Sequence, residues 1–178
     1  ATYIIAEGPD GMYLIDQHAA HERVLFEQLW QQYERAKPDI QTLLEPLVIE
    51  LTPTQLETAE RCREEMVQIG FHIEPFGGSA VAVRAVPAIA ARRDPRAVLL
   101  GILDEMAAGG RGTTLLESLT ISTACHSAIR AGQTLSLAEM RELIAQLERC
   151  TAPRACGHGR PTMLHLSQEE LERQFERR

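Results

Sequence analysis

The feature that most constrains the fold is the junction at residues 13–22, where an apolar run passes directly into a long amphipathic stretch. An apolar run that ends in Asp and continues with helical periodicity predicts a strand followed by a helix, with Asp16 at or near the N-cap. His18 and Glu22 lie four residues apart and therefore share one face of that helix. Together with Asp16 they place three metal-competent side chains within roughly 8 Å along the helix axis. The junction thus has the composition of half of a metal site.

The turn residues and helix caps in the rest of the chain predict an α+β fold. Strands are predicted at residues 2–7 and 12–16, joined by a Gly-Pro-Asp-Gly turn, and again near 41–51, 71–76, 80–86 and 162–166. Helices are predicted between these strands, at about 17–34, 53–69, 95–108, 114–129 and 136–147, and after Ser167. This order of elements suggests that residues 43–112 form a subdomain inserted between two outer parts, 1–42 and 113–178.

Composition limits the partners and the location of the protein. The longest apolar runs fall short of the ~20 residues that cross a bilayer, and no signal peptide is recognisable, so we expect a cytoplasmic protein without a membrane partner. The first residue is Ala rather than Met, which suggests a fragment of a longer protein. The formal net charge is −7, whereas a domain that grips DNA by itself is usually basic. Action on DNA would therefore require another domain or a partner.

Further metal-competent residues occur in the C-terminal half. Cys156 and His158 are separated by one glycine, so both side chains can reach one ion, and a thiolate with an imidazole favours Zn²⁺. The alternative is a Gly-rich turn with a buried Cys and an exposed His. Cys125 lies in a helical stretch and is either an additional ligand or a small buried apolar residue. The chain is neither small nor rich in cysteine, so we expect its four cysteines to be reduced.

Taken together, the potential donors outnumber what one tetrahedral ion needs: they are Asp16, His18, Glu22, Cys125, Cys156 and His158. Such a set can hold two metal ions with Glu22 bridging them, an arrangement suited to phosphodiester hydrolysis. The alternative is one structural zinc site with four protein ligands, which links the C-terminal loop to the first helix.

The same residues resemble a known family. Asp16-Gln17-His18-Ala19, followed by Glu22 and Glu27, resembles the endonuclease motif in the C-terminal domain of the MutL family of DNA mismatch repair proteins. The resemblance continues in the family's order with three shorter blocks: Ala124-Cys125, Cys156-Gly157-His158-Gly159-Arg160-Pro161 and Phe175-Glu176-Arg177. Two positions depart from the family pattern, which commonly has Pro at position 157 and a basic residue at position 126. Neither is an expected ligand, but a contact of His126 with DNA becomes doubtful.

The resemblance implies a latent endonuclease that nicks one strand of duplex DNA during mismatch repair. It implies a homodimer, with a dimerisation subdomain built from both chain ends and an external regulatory subdomain inserted between them. The six donors named above carry over as metal ligands, with Zn²⁺ in a structural or regulatory role and Mn²⁺ supporting cleavage, whereas Glu27 has a supporting role. Expected partners include a mismatch-recognition protein and an N-terminal ATPase domain of the same protein, at the nucleoid. The alternative is a non-catalytic dimerisation module with a structural zinc site.

The hexapeptide Gln41-Thr42-Leu43-Leu44-Glu45-Pro46 resembles the peptide by which this family docks to the replication sliding clamp. Gln41, Leu44 and Pro46 are the expected contacts, in an extended segment whose apolar side chains enter a groove. The alternative is an ordinary edge strand.

Several other residues have simpler interpretations. Arg130 and Arg160 flank metal-loop segments and are candidates for contact with DNA phosphates. Cys62 falls on an apolar stripe and is expected in a core, whereas His21 is expected to face solvent.

Overall fold

The computed structural model of the chain describes residues 3–129 and 133–177, which contain six strands and seven α-helices. The strands are β1 (Tyr3–Gly8), β2 (Gly11–Asp16), β3 (Ile40–Glu50), β4 (His72–Pro75), β5 (Ala80–Pro87) and β6 (Met163–Ser167). The helices are α1 (Gln17–Glu34), α2 (Pro53–Arg61), α3 (Arg63–Ile69), α4 (Pro95–Ala107), α5 (Leu115–Ser127), α6 (Leu137–Glu148) and α7 (Gln168–Gln174). The predicted α+β class is confirmed.

The chain divides into two units, each with its own small antiparallel sheet. Unit 1 consists of the residues up to Val24 together with those from Ala128 onward, and unit 2 is Leu25–Ser127. The first boundary falls inside α1. The roles expected for the outer and inserted parts, dimerisation and regulation, stay predictions.

Unit 1 contains a sheet with the strand order β1-β2-β6. Its antiparallel register aligns Ile4 with Ile15, and Ile15 with Met163, in one row across the three strands. This row faces a core that α1 and α6 complete, with Ala20, Val24, Ile129, Leu135, Leu143 and Leu147. Because side chains alternate along a strand, the neighbouring rows point away from that core.

Unit 2 contains a sheet with the order β3-β5-β4, so β3 and β4 are its edges. The central strand β5 is buried at six of its eight positions, and α2 to α5 supply most of the rest of a large apolar core. Cys62 is fully buried in that core, as predicted. The pairing of β3 with β5 shifts register between Thr42 and Leu47.

The predicted helix boundaries are mostly confirmed by the caps. Thr52 with Gln55, Ser136 with Glu139 and Ser167 with Glu170 each form a capping box. Gly70 ends α3 in the left-handed conformation at φ 104°, which glycine adopts without a Cβ clash.

Two helix predictions differ from the structure. The segment predicted as one helix up to Ile69 is divided at Cys62 into α2 and α3. The helix predicted to end at Ile129 ends at Ser127. The N–H and C=O groups of Ile129 form hydrogen bonds with histidine side chains of α1 instead of continuing the helix. Within the described residues, no helix combines the length and the apolar character needed to cross a membrane.

Candidate metal centre

The start of α1 follows directly from the strand that precedes it. Asp16 is the last residue of β2, and its Oδ1 accepts the backbone N–H groups of His18 and Ala19 at 2.9 and 3.1 Å. The predicted N-cap is therefore confirmed, and it satisfies two N–H groups that have no partner within the helix. The cap uses one carboxylate oxygen, and the expected role of Asp16 as a metal ligand stays a prediction.

Glu22 is the centre of a polar cluster in unit 1, and its side chain is only 2% exposed. Its Oε1 lies 3.1 Å from His18 Nε2, one turn earlier on the helix, as the i,i+4 spacing predicted. Its Oε2 lies 3.3 Å from His158 Nδ1, a residue 136 positions along the chain. A buried carboxylate requires such partners, because an unpaired charge is costly to remove from water.

His18 has a defined tautomer when it is neutral. Its Nδ1 lies 2.7 Å from the carbonyl oxygen of Ile129, and a carbonyl oxygen can only accept, so Nδ1 carries the proton. The lone pair of Nε2 then faces the Glu22 carboxylate. Two acceptors repel each other, so their 3.1 Å separation is favourable only when a proton or a cation lies between them. Accordingly, the hydrogen bond to Glu22 raises the pKa of His18 above its ordinary value of 6.5, although burial acts in the opposite direction.

The Cys-Gly-His segment forms a tight loop that closes on itself. The N–H of Cys156 donates to the carbonyl of Arg160 at 2.8 Å, and that of Gly159, at φ 76°, donates to the carbonyl of Cys156 at 2.9 Å. Within this loop the Cys156 Sγ lies 3.9 Å from His158 Nδ1. Cys156 is buried and the His158 side chain is only 4% exposed, so both side chains point inward.

Arg160 supplies a permanent positive charge to the cluster. Its Nη2 donates to both oxygens of Glu22, at 3.2 and 3.1 Å, although the Arg160 side chain is 57% exposed. Burial acts to lower the pKa of Arg160, but its hydrogen bond to Cys156 and the charge of Glu22 outweigh this and raise the pKa. The expected contact of Arg160 with DNA stays a prediction.

Additional side chains from the first two turns of α1 bind the surrounding segments of unit 1. The Nε2 of Gln17 donates to the carbonyl of Gln133 at 2.6 Å, and Arg23 donates to the carbonyl of Ala155. The prediction that His21 faces solvent is wrong, because its Nδ1 accepts the N–H of Ile129 at 3.0 Å. Sequence reasoning missed these anchors, since their partners are backbone groups more than a hundred residues away.

The donor set of unit 1 fits a metal ion on chemical grounds. Glu22 Oε2 and Cys156 Sγ lie 3.3 and 3.9 Å from Nδ1 of His158, so oxygen, nitrogen and sulfur donors neighbour one another, and Zn²⁺ accepts all three. The bond of His18 to a backbone carbonyl is typical of metal-binding histidines, because it orients the second nitrogen outward. These residues can therefore hold one or more divalent ions.

The remaining expected site residues belong to unit 2 or lie outside the described residues. Cys125 is partly buried on α5 in unit 2, and Glu27 is buried in the part of α1 that belongs to that unit. Gln41, Leu44 and Pro46 are exposed on β3. Arg130 lies outside the described residues.

Position 126, where the chain departs from the family pattern, is occupied by a histidine held within unit 2. His126 Nε2 lies 3.5 Å from Glu105 Oε2, and the ring packs so closely on Gly101 that a Cβ there would lie 2.5 Å from Cε1. The acidic Glu105 does not favour a DNA contact by this residue.

Comparisons with known proteins agree with the resemblance in the sequence. The family model described as "MutL C terminal dimerisation domain" matches residues 1–135. The DNA mismatch repair protein MutL of Caulobacter vibrioides (strain NA1000) is 38% identical over 99% of this chain and 28% of its own length. The corresponding protein of Rhizorhabdus wittichii is 38% identical over 100% of this chain and 30% of its own length. That of Heliobacterium modesticaldum is 39% identical over 99% of the chain and 27% of its length, so the chain spans less than a third of these relatives.

Proposed function

Because the chain belongs to the MutL family of DNA mismatch repair proteins, we propose that it is a latent, metal-dependent endonuclease that nicks one strand of duplex DNA and also dimerises. The observation that carries the catalytic part is the buried Glu22 carboxylate, approached by His18 and His158 within 3.3 Å. Two imidazoles and the Arg160 guanidinium meet this carboxylate, and a buried carboxylate with two imidazoles is a donor set that binds divalent metal ions.

The residues divide by donor type into two overlapping sets. Cys156 and His158, with Glu22, suit Zn²⁺, and the family resemblance adds Cys125 to this set. Asp16 and His18, again with Glu22, supply the harder oxygen and imidazole donors that suit Mn²⁺. When bound, such ions activate water and stabilise negative charge on phosphate oxygens.

The chain's own residues prepare the site for that chemistry. The carbonyl oxygen of Ile129 keeps the proton of neutral His18 on Nδ1, so that Nε2 can bind a metal ion. The closed loop around Cys156 keeps its sulfur beside His158. Arg160 provides a cation that can pair with a phosphate once it is released from Glu22.

We expect the chain, assayed with the sliding clamp, to nick supercoiled plasmid with Mn²⁺, and the Asp16→Asn variant to be slower by about tenfold or more. Asn is as good an N-cap as Asp, so the substitution removes a charge from the site without removing the cap. The measurement is the rate at which open-circular plasmid appears.

Thermal unfolding of Asp16→Asn serves as the control and should match that of the wild type. Equal nicking rates for the two proteins would contradict the catalytic proposal. Zinc binding without any nicking would instead favour the alternative, a dimerisation module in which the Cys156–His158 loop holds a structural zinc ion.

The proposed homodimer uses the outer face of the unit 1 sheet. Ile5, Leu14 and Leu164 form one row across the three strands on the side opposite the core. Ile5 is 71% and Leu164 60% exposed, and Tyr3 and Leu166 extend the apolar surface along β1 and β6. A second copy of the chain is the expected occupant, because the matching family model describes a dimerisation domain.

The acidic charge of the chain indicates that it needs further partners to reach DNA. A net charge of −7 opposes unaided binding to DNA, so we propose that duplex DNA is presented with the help of further components. The family resemblance implies that these are a sliding clamp, a mismatch-recognition protein and an ATPase domain of the same protein.

The clamp is proposed to bind residues 41–46 of β3. This strand is an edge of its sheet, and the register shift between Thr42 and Leu47 leaves the residues between them without partners in β5. Leu44 is fully exposed there, and Gln41 is exposed on the same segment. An extended segment with outward apolar and amide side chains can enter a groove on a partner.

We expect the double variant Gln41→Ala/Leu44→Ala to bind the clamp at least about tenfold more weakly, because it removes the two anchoring side chains. Calorimetry or surface plasmon resonance with purified clamp measures the affinity. Val48→Ala, on the same strand beyond the register shift, should bind normally. Unchanged affinity in the double variant would show that the clamp does not use this segment.

A further inference from the structure

One residue of the α1 motif is not accounted for by the ligand set. His21 lies three positions after His18, and both imidazoles contact the same residue, Ile129. The His18 Nδ1 bonds to the carbonyl oxygen of Ile129 at 2.7 Å, and the His21 Nδ1 bonds to its backbone nitrogen at 3.0 Å. All three residues belong to unit 1. One residue is thus held at its N–H and its C=O by two histidines of the same helix.

The two bonds require opposite tautomers. A carbonyl oxygen only accepts, so the neutral His18 has its proton on Nδ1 and its lone pair on Nε2, toward Glu22. A backbone N–H only donates, so the Nδ1 of His21 carries no proton. If His21 lost this acceptor role, the N–H of Ile129 would lose the bond that holds it.

We infer that His21 is a positioning residue, which sets the Ile129 backbone and through it the tautomer and orientation of His18. The inference rests on the proposed function, since His18 is there a ligand. It assigns to His21 an acceptor role that Asn can take over, because the Oδ1 of Asn lies close to the position of the Nδ1 of His. It does not require His21 to contact a metal ion or DNA.

The test compares His21→Ala with His21→Asn by ¹⁵N NMR of the metal-free protein at alkaline pH. The imidazole nitrogens of His18 report directly which of them carries the proton. We expect the Nδ1–H tautomer in the wild type and in His21→Asn, and a mixture of tautomers in His21→Ala. Persistence of the pure Nδ1–H tautomer in His21→Ala would overturn the inference, as would an identical loss in both variants, which would indicate a packing role.

Mn²⁺ affinity, measured by electron paramagnetic resonance, is the second readout, because His18 belongs to the proposed Mn²⁺ set. His21→Ala should bind Mn²⁺ about tenfold more weakly, the smaller end of the effect expected when a metal ligand loses a residue that positions it, and His21→Asn close to normally. His72→Ala, at an exposed histidine of unit 2, is the matched control and should bind Mn²⁺ like the wild type. If the wild type bound no Mn²⁺, the proposed Mn²⁺ site would fail, while the tautomer measurement would still decide the role of His21.

Discussion

The Glu22→Gln variant is expected to lose at least about a hundredfold in zinc affinity and in Mn²⁺-dependent nicking. Loss of a residue that only hydrogen-bonds to a metal ligand lowers metal affinity or activity about 10- to 100-fold. Glu22 is itself proposed as a ligand, shared by both ions, so its loss should cost more. Gln keeps the shape of the side chain but removes the charge that faces His18, His158 and Arg160.

The fold should survive this substitution. Removing one partner of a buried ion pair typically costs about 3–5 kcal/mol, because the other charge is left buried. Here Arg160 is 57% exposed and can turn to water, so its charge is not left buried. We therefore expect a folded protein whose unfolding midpoint falls only modestly.

The same variant makes a prediction about pH. In the wild type the hydrogen bond to Glu22 raises the pKa of His18 above 6.5. A raised folded-state pKa contributes stability that is fully present below 6.5 and is lost as the pH rises through the folded value. The stability advantage of the wild type over Glu22→Gln should therefore be larger in mild acid than at alkaline pH, and the pKa of His18 should fall in the variant.

Glu142→Gln is the matched control, since it changes an exposed carboxylate on α6 of the same unit. It should leave zinc affinity, nicking and the titration of His18 unchanged. Wild-type zinc affinity in Glu22→Gln would remove Glu22 from the ligand set. An unchanged pKa of His18, followed by NMR, would show that the two side chains are not coupled in solution.

The second large effect is expected at the dimer face. The Ile5→Glu/Leu164→Glu variant should be monomeric at concentrations at which the wild type is a dimer. Charges at two central apolar positions each cost about 2 kcal/mol or more, so together they weaken association by roughly a thousandfold. Both side chains are already exposed in the single chain, so their replacement should barely change its stability.

Sedimentation or light scattering over a concentration series measures the association. The matched control is Phe76→Glu, because Phe76 is 62% exposed in unit 2, similar to Leu164 at 60%. The control should dimerise like the wild type. A double variant that still dimerises would place the interface elsewhere, and dissociation of the control would indicate a general effect of added charge.

Much of the local structure could be predicted from the sequence, because its causes lie within a few residues. Asp16 caps α1, and His18 and Glu22 meet across one helical turn, since the periodicity of a helix sets these distances. The capping boxes and Gly70 mark helix ends for the same reason. The helix division at Cys62 was not predicted, because no Pro or Gly marks it.

The sequence by itself determined which residues are candidates for the chemistry and where most elements begin, since spacing and cap chemistry act along the chain. Only the tertiary structure decided what those residues face. The contact of Glu22 with His158 joins residues 136 positions apart, and the Ile129 peptide became a shared partner of His18 and His21. Periodicity assigned His21 to solvent because it describes one helix in isolation. The partner of a helix face is chosen by packing between distant segments, which no local pattern records.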